Sequence, residues 1–164
     1  MNGFTHFDEN GNPRMVDVSV KEVTSRIAVA QGMIRMQPAT LELIKTGGIF
    51  KGDVLSVATC AGIMAAKRTG EIIPMCHPLG IDGCELSFTV SETEPAIKVE
   101  ARAKVCSKTG VEMEALMAVS IACLTIYDMC KAYDKAMLIS DIMLVSKSGG
   151  KSGQWQREEV IGDY

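Results

Sequence analysis

The sequence predicts an α+β fold of ferredoxin-like, split βαβ type. An antiparallel sheet is covered on one face by helices, with an extra helix in the first crossover. Three observations carry this expectation. Residues 84–91 and 97–105 both alternate apolar and polar side chains around the turn Glu92-Thr93-Glu94-Pro95, the pattern of an antiparallel hairpin with one wet face. Residues 111–134 instead repeat apolar side chains at helical spacing: at ~100° per residue Leu116, Val119, Cys123, Ile126, Tyr127 and Cys130 share one arc. The elements as a whole run in the order β-α-α-β-β-α-β.

Taken in order, residues 1–18 are polar, carry the turn signal Asn10-Gly11-Asn12-Pro13 and read as an N-terminal arm. Ser19 and Glu22 have capping-box spacing. Residues 26–36 nevertheless alternate, with Ile27, Val29 and Met33 opposing Ala28, Ala30, Gly32 and Ile34, so this stretch reads as a strand. Pro38 opens a short helix that reaches Lys45 and is stopped by Gly47-Gly48. Asp53 caps a second helix over 54–68. Residues 70–83 hold Pro74 and Pro78 and read as irregular. After the hairpin and the long helix, a last strand covers 137–146. The whole reads as a single domain over 1–164, with an arm (1–18), a ferredoxin-like core (19–146) and a Gly/Ser-rich loop and tail (147–164).

Composition narrows the function. The chain is 47% hydrophobic but only 5% aromatic, with 11 Met, a surplus that either an oligomer interface or a Met-rich core accommodates. A net charge of −3 gives no general attraction for nucleic acid. No signal peptide and no apolar run of membrane-spanning length is evident, so a cytoplasmic protein without a membrane partner is expected. Cys60, Cys76, Cys84, Cys106, Cys123 and Cys130 form no C-x-x-C pair. They read as small core residues in a reducing compartment, with no disulfide framework and no metal site.

The long helix is where chemistry concentrates. Glu112 and Glu114 stand at its start, and Asp128 and Lys131 lie one turn apart near its end. Glu114, Ala118, Ile121, Thr125, Asp128 and Ala132 form a face of mostly small residues opposite the core arc, open to close approach by another subunit or element. Acids at a helix start and a lysine at its end are also ordinary complements of the helix dipole, and that plain reading stands beside the functional one. Glu114 and Asp128 are ~21 Å apart along a continuous helix. A single small-molecule site holding both therefore takes them from two subunits.

Other segments add weaker signals. In Met75-Cys76-His77-Pro78-Leu79, His77 suits an acid, a base or a phosphate donor, or simply a loop histidine bonded to backbone. Lys51-Gly52-Asp53 precedes a helix start and reads as an anion site or as a capped turn. Lys147-Ser148-Gly149-Gly150-Lys151-Ser152-Gly153 fails as a Walker A loop, since the first required glycine falls at Val145. It reads as a flexible linker or as a lysine-bearing wrap around phosphate. Asp17 is an acid between apolar residues, and His6 sits in the arm without an assigned role. The scattered lysines, acids and one histidine together suit a polyphosphate-bearing small molecule that undergoes several proton transfers.

Met15-Val16-Asp17-Val18, Lys51-Gly52-Asp53-Val54, Ala65-Ala66-Lys67-Arg68-Thr69, Ile73-Pro74-Met75-Cys76-His77-Pro78-Leu79, Lys108-Thr109-Gly110-Val111-Glu112-Met113-Glu114-Ala115-Leu116, Thr125-Ile126-Tyr127-Asp128-Met129-Cys130-Lys131 and the Lys147–Gly153 segment can be taken as one set. As a set they resemble the cyclic pyranopterin monophosphate synthases, the protein C family of molybdenum cofactor (molybdopterin) biosynthesis. The resemblance runs from about residue 5 to residue 155. It implies the ferredoxin-like fold and a homohexamer built as a trimer of dimers, with sites at the dimer interface. It also implies a lyase reaction: a cyclised dihydro-GTP, made by an upstream radical S-adenosylmethionine enzyme, becomes cyclic pyranopterin monophosphate with release of pyrophosphate. On the same ground Asp128, Lys131 and Lys51 are expected to be catalytic. Asp17, Met75, Cys76, His77, Pro78, Leu79, Glu112, Met113, Glu114 and Lys147 are expected to bind substrate. No cofactor is expected to be required, with Mg²⁺ an option alongside the triphosphate. A non-catalytic oligomeric pterin- or nucleotide-binding protein, and a phosphate-ester cyclase or hydrolase of the same shape, are the competing readings.

Overall fold

A computed structural model describes residues 11–12, 14–151 and 153–158; His6 and the rest of the arm before residue 11, and the tail from residue 159, lie outside the described residues. The chain runs β1 (Thr24–Arg35), α1 (Pro38–Thr46), α2 (Val54–Lys67), α3 (Thr69–Ile72), β2 (Gly83–Val90), β3 (Ala96–Ser107), α4 (Glu112–Cys130), β4 (Leu138–Ser148) and β5 (Trp155–Gln156). The strands form one antiparallel sheet in the order β2-β3-β1-β4-β5. Its first four strands have the ferredoxin-like order, with the two βαβ halves interleaved.

Local chemistry explains most boundaries. Pro38 occupies the start of α1, where its missing N–H costs nothing. The helix stops at Gly47, which adopts φ 70°, while Gly47 and Gly48 donate to the carbonyls of Ile44 and Leu43. The Asp53 carboxylate accepts from the Leu55 and Ser56 amides and begins α2. The capping-box spacing at Ser19 and Glu22 makes no helix. Strand alternation also holds: Ala28, Ala30 and Ile34 of β1 and Ile97, Val99, Ala101, Ala103 and Val105 of β3 are buried under the helices.

Two glycines set how closely the helices lie. A Cβ at Gly32 of β1 would stand 2.7 Å from Val119 Cγ1, so α4 rests directly on the strand. A Cβ at Gly62 of α2 would stand 2.6 Å from Leu86 Cδ2 and 2.9 Å from the Ala118 carbonyl oxygen, so α2 is wedged between α4 and β2. The small-residue face of α4 therefore meets another element of the same chain at Ala118. By length and composition α4 is apolar enough to span a membrane, contrary to the sequence expectation, but it lies between sheet and α2 with half of it buried.

Several boundaries differ from expectation. A short α3 interrupts the segment read as irregular. Helix α4 ends at Cys130 rather than at residue 134, because Asp134 turns away to serve α1. Only 2% exposed, Asp134 accepts from the Gln37 amide at 2.8 Å and the Ala136 amide at 3.0 Å. Strand β4 extends through Lys147 and Ser148. Gly149 and Gly150, at φ 100° and 72°, then turn the chain back so that Trp155 pairs with Lys147 in a strand the sequence reading placed in the tail. All six cysteines are free, but only Cys123 and Cys130 are core residues; Cys60 and Cys106 are exposed, and Cys76 and Cys84 are half-buried. Burial pushes the Cys123 thiol up to about 12.

Pairing of β1 with β4 breaks register twice. Ala28 faces Lys147 and Ala30 faces Leu144, so Val145 is a bulge residue. Gln31 faces Met143 and Met33 faces Ser140, which sets a second bulge at Asp141 and Ile142. Asp141 adopts φ 56°, and its carboxylate is held by the Arg35 guanidinium at 3.1 Å.

Replacing Gly62 with Ala tests the helix seating. Overpacking against a carbonyl costs ~1–3 kcal/mol, which outweighs the ~1 kcal/mol a helix interior gains from Gly to Ala. Denaturant midpoints are expected to show G62A destabilised, by up to about 2 kcal/mol.

Candidate functional site

The start of α4 borders a groove with two lobes. The larger, of about 380 Å³, is walled by Met75, Cys76, His77, Leu79, Met113 and Glu114, with Val16 and Val18 of the N-terminal segment closing one side. The smaller, of about 170 Å³, is polar and basic, with Lys21, Arg26, Lys108 and Lys147 around it. Lys21, Thr109, Gly110 and Glu112 line both lobes and join them. Pro78, with Leu79 and Glu114, borders a separate neighbouring cavity of about 280 Å³.

The two acids of the helix start occupy different environments. Glu112 is the first residue of α4, and its Oε1 accepts from Lys147 Nζ at 2.9 Å, with both side chains about one-third exposed. That pair joins the helix to β4, since Lys147 lies within the strand and not in the expected flexible loop. Glu114 is 3% exposed; burial pushes its carboxyl above the ordinary carboxylate range, and the Glu112 charge adds to this. One carboxylate therefore accepts from a lysine at the groove, while burial disfavours the charged form of the other. Burial, and then the nearby Glu114, also pushes the Cys76 thiol up, so Cys76 is a neutral wall of the larger lobe.

Lys51, Asp128 and Lys131 are brought together at the other end of α4. Lys131 Nζ donates to Asp128 Oδ1 at 2.6 Å, and Lys51 Nζ donates to Oδ2 at 3.1 Å and to the Asp128 carbonyl at 2.7 Å. Hydrogen bonding from Lys131, and then from Lys51, holds the Asp128 carboxyl below the usual range. The same pairing with Asp128 raises the Lys131 ammonium. The pair thus stays ionised from below the ordinary carboxylate range to above the ordinary lysine range. All three side chains are well exposed, so the cluster adds little to the stability of the fold. It borders neither lobe. A helix of 19 residues spans ~28 Å, and one chain does not unite its two ends around one small molecule.

Two expected features take another form. Asp53 occupies the N-terminus of α2 with its own carboxylate, so the anion site read at Lys51-Gly52-Asp53 is a capped turn, with Lys51 facing Asp128. Asp17 does not line the larger lobe; its carboxylate accepts from the Ser19 amide at 2.8 Å, which chiefly lowers its pKa, with Lys108 and His77 adding. The sequence reading missed Lys21, Arg26 and Lys108 as lining residues. The usable signal was the basic residue two positions before Gly110, at a helix start where backbone N–H groups already favour anions. Arg26 is fastened there by Nε to the Ser107 carbonyl at 3.0 Å and Nη2 to the Lys108 carbonyl at 3.1 Å.

Fold and groove define a class: a ferredoxin-like α+β protein with a groove of two joined lobes at a helix start, one walled by apolar side chains and acids and one basic. The chain matches the MoaC family over residues 15–150 and belongs to it. It is 58% identical over 97% of its length to a Heliobacterium modesticaldum protein, all of which is covered, and 61% identical over 96% to a Desulfitobacterium hafniense protein, 96% of which is covered. A Chloroflexus aggregans protein is 58% identical, with 94% of each chain covered. Each of these relatives is a cyclic pyranopterin monophosphate synthase.

The raised Glu114 pKa has a stability signature. A carboxyl that folding keeps neutral stabilises fully below its ordinary value of 4.5, and this stabilisation is lost as pH rises through the folded value. Glu114→Gln stays neutral throughout. Thermal melts are expected to show E114Q gaining on the parent as pH rises from the ordinary value of 4.5 through the folded value, and levelling off above it.

Proposed function

We propose that this chain is a cyclic pyranopterin monophosphate synthase of molybdenum cofactor biosynthesis. It acts as a lyase on the cyclised dihydro-GTP delivered by a radical S-adenosylmethionine enzyme. The observation that carries this reading is the junction of the two lobes at the start of α4, where Glu112 and Lys147 meet. The guanine-derived ring lies in the larger lobe, against Met75, Cys76, His77, Leu79 and Met113, with Glu114 as proton donor and Glu112 as hydrogen-bond acceptor. The phosphates lie toward Lys147, Lys21, Arg26 and Lys108, whose charge offsets that of the leaving pyrophosphate. As the pyrazine ring is rebuilt, a sugar-derived oxygen closes on the α-phosphorus. The bond from that phosphorus to the bridging oxygen breaks, and pyrophosphate departs.

Lys131 and Asp128 serve as the acid–base pair once the bound substrate separates their ion pair, which otherwise holds both ionised. Lys51 is a further cation, and a second copy of the chain brings this cluster to the groove. The support is geometric, because the cluster is exposed and stands a helix length away in its own chain. A homohexamer built as a trimer of dimers, with sites at dimer interfaces in the cytoplasm, follows from this reading. In this reading no protein-bound cofactor is required, and any Mg²⁺ enters with the substrate's phosphates as their counterion.

The test mixes purified protein with the cyclised intermediate and follows pyrophosphate release together with pterin formation. Both are expected in step, with no turnover of GTP; binding without release supports a carrier instead. Lys131→Ala is expected to leave a folded oligomer whose turnover falls at least ~10²-fold. Refolding Lys131→Ala together with Lys147→Ala is expected to recover roughly a quarter of parental activity, because half the random dimers each hold one intact site. No recovery above the separate variants would place each site within one chain.

A further inference from the structure

We infer that Gly110 is a positioning residue: its lack of a side chain is what allows the Glu112 carboxylate to fold back toward Lys147 across the seam of the two lobes. This rests on the functional reading above for its catalytic consequence but not for its structural one. Gly110 immediately precedes Val111, the N-cap of α4, and lines both lobes. The three nearest atoms to a Cβ built there all belong to the Glu112 carboxyl group, with Cδ at 2.7 Å and Oε1 at 2.9 Å. The same Oε1 accepts from Lys147 Nζ at 2.9 Å. A methyl group at position 110 therefore first takes the space of the carboxylate, the end of a side chain.

Conformational freedom is not the reason for glycine here. Gly110 lies outside the left-handed region, unlike Gly149 and Gly150, so its backbone accepts an L-residue. The obstacle is the far end of a flexible, partly exposed side chain, which moves at little cost to the fold. The cost falls on the Glu112–Lys147 pair and on whatever that pair holds. Displacing a positioned site group by about 1 Å costs ~10²-fold in rate.

The experiment compares Gly110→Ala, Glu112→Ala and the double variant in the full-length oligomer. Each is followed by thermal melts, pyrophosphate release and crystal structures of the two single variants. G110A is expected to melt with the parent, to show Glu112 swung out of reach of Lys147, and to lose about 10²-fold in turnover. In the E112A background the added methyl is expected to cost nothing further, because the group it displaces is gone. An equal loss in both backgrounds, failure of G110A to fold, or a G110A structure with the Glu112–Lys147 pair intact each overturns the inference. If E112A itself turns over normally, the role given to Glu112 fails instead, while the G110A structure still decides whether position 110 sets the carboxylate.

Discussion

The seating of α4 is the constraint from which the rest of the molecule follows. The helix lies directly on β1 at Gly32 and against α2 at Gly62, where side chains larger than hydrogen have no room. Ala115, Ala118, Val119, Ala122 and Cys123 are fully buried there, and the short side chains let dispersion act between closely spaced backbones. A helix held this tightly on two sides acts as a rigid bar. Its first turn is thereby fixed relative to β4, which sets the reach from Glu112 to Lys147, and its last turn is fixed relative to the loop that carries Lys51.

Electrostatics then differentiate groups that sit side by side in the sequence. Glu112 and Glu114 are two positions apart, yet one points to the groove mouth and is paired with a lysine while the other is buried. The helical turn separates their directions, and solvent access does the rest. Arg26 uses its guanidinium N–H groups on the carbonyls of Ser107 and Lys108. That fastens the turn leading into Gly110 while leaving a permanent positive charge under the smaller lobe.

Much of this was legible in the sequence, and the exceptions have physical causes. Pro38, Gly47 and Asp53 bounded α1 and α2 through local rules that tertiary contacts did not override. The β2–β3 hairpin and the buried face of β1 were visible as period-two alternation. The end of α4 was not, because Asp134 caps α1 from a distance, a long-range hydrogen bond with no local signature. The last strand lost its clean alternation to two bulges, and β5 exists because β4 offers it an edge. For the groove, His77 and the helix-start acids stood out by residue type and spacing, while the other residues of the 75–79 loop entered only through the family resemblance. The Asp128–Lys131 pair was visible as a one-turn spacing, whereas Lys51 reaches Asp128 only through the tertiary fold, and Lys21, Arg26 and Lys108 converge through the pairing of β1 with β3.

The bulge at Val145 has a consequence for how this architecture tolerates change. Residues facing each other across an antiparallel ladder point to the same side, so Ala28 and Ala30 demand that Lys147 and Leu144 share a face. Those two are an odd number of positions apart, and a regular strand would send them to opposite sides. The extra residue reconciles two parities, one set by the core that takes Leu144 and one by the groove that takes the lysine. Deleting Val145 would leave a regular strand in which Leu144 and Lys147 stand two positions apart and still share a face, whereas a regular strand of the present length would turn the ammonium to the wrong surface. The frame of β4, counted modulo two, is therefore part of the site in the same sense as the residues themselves.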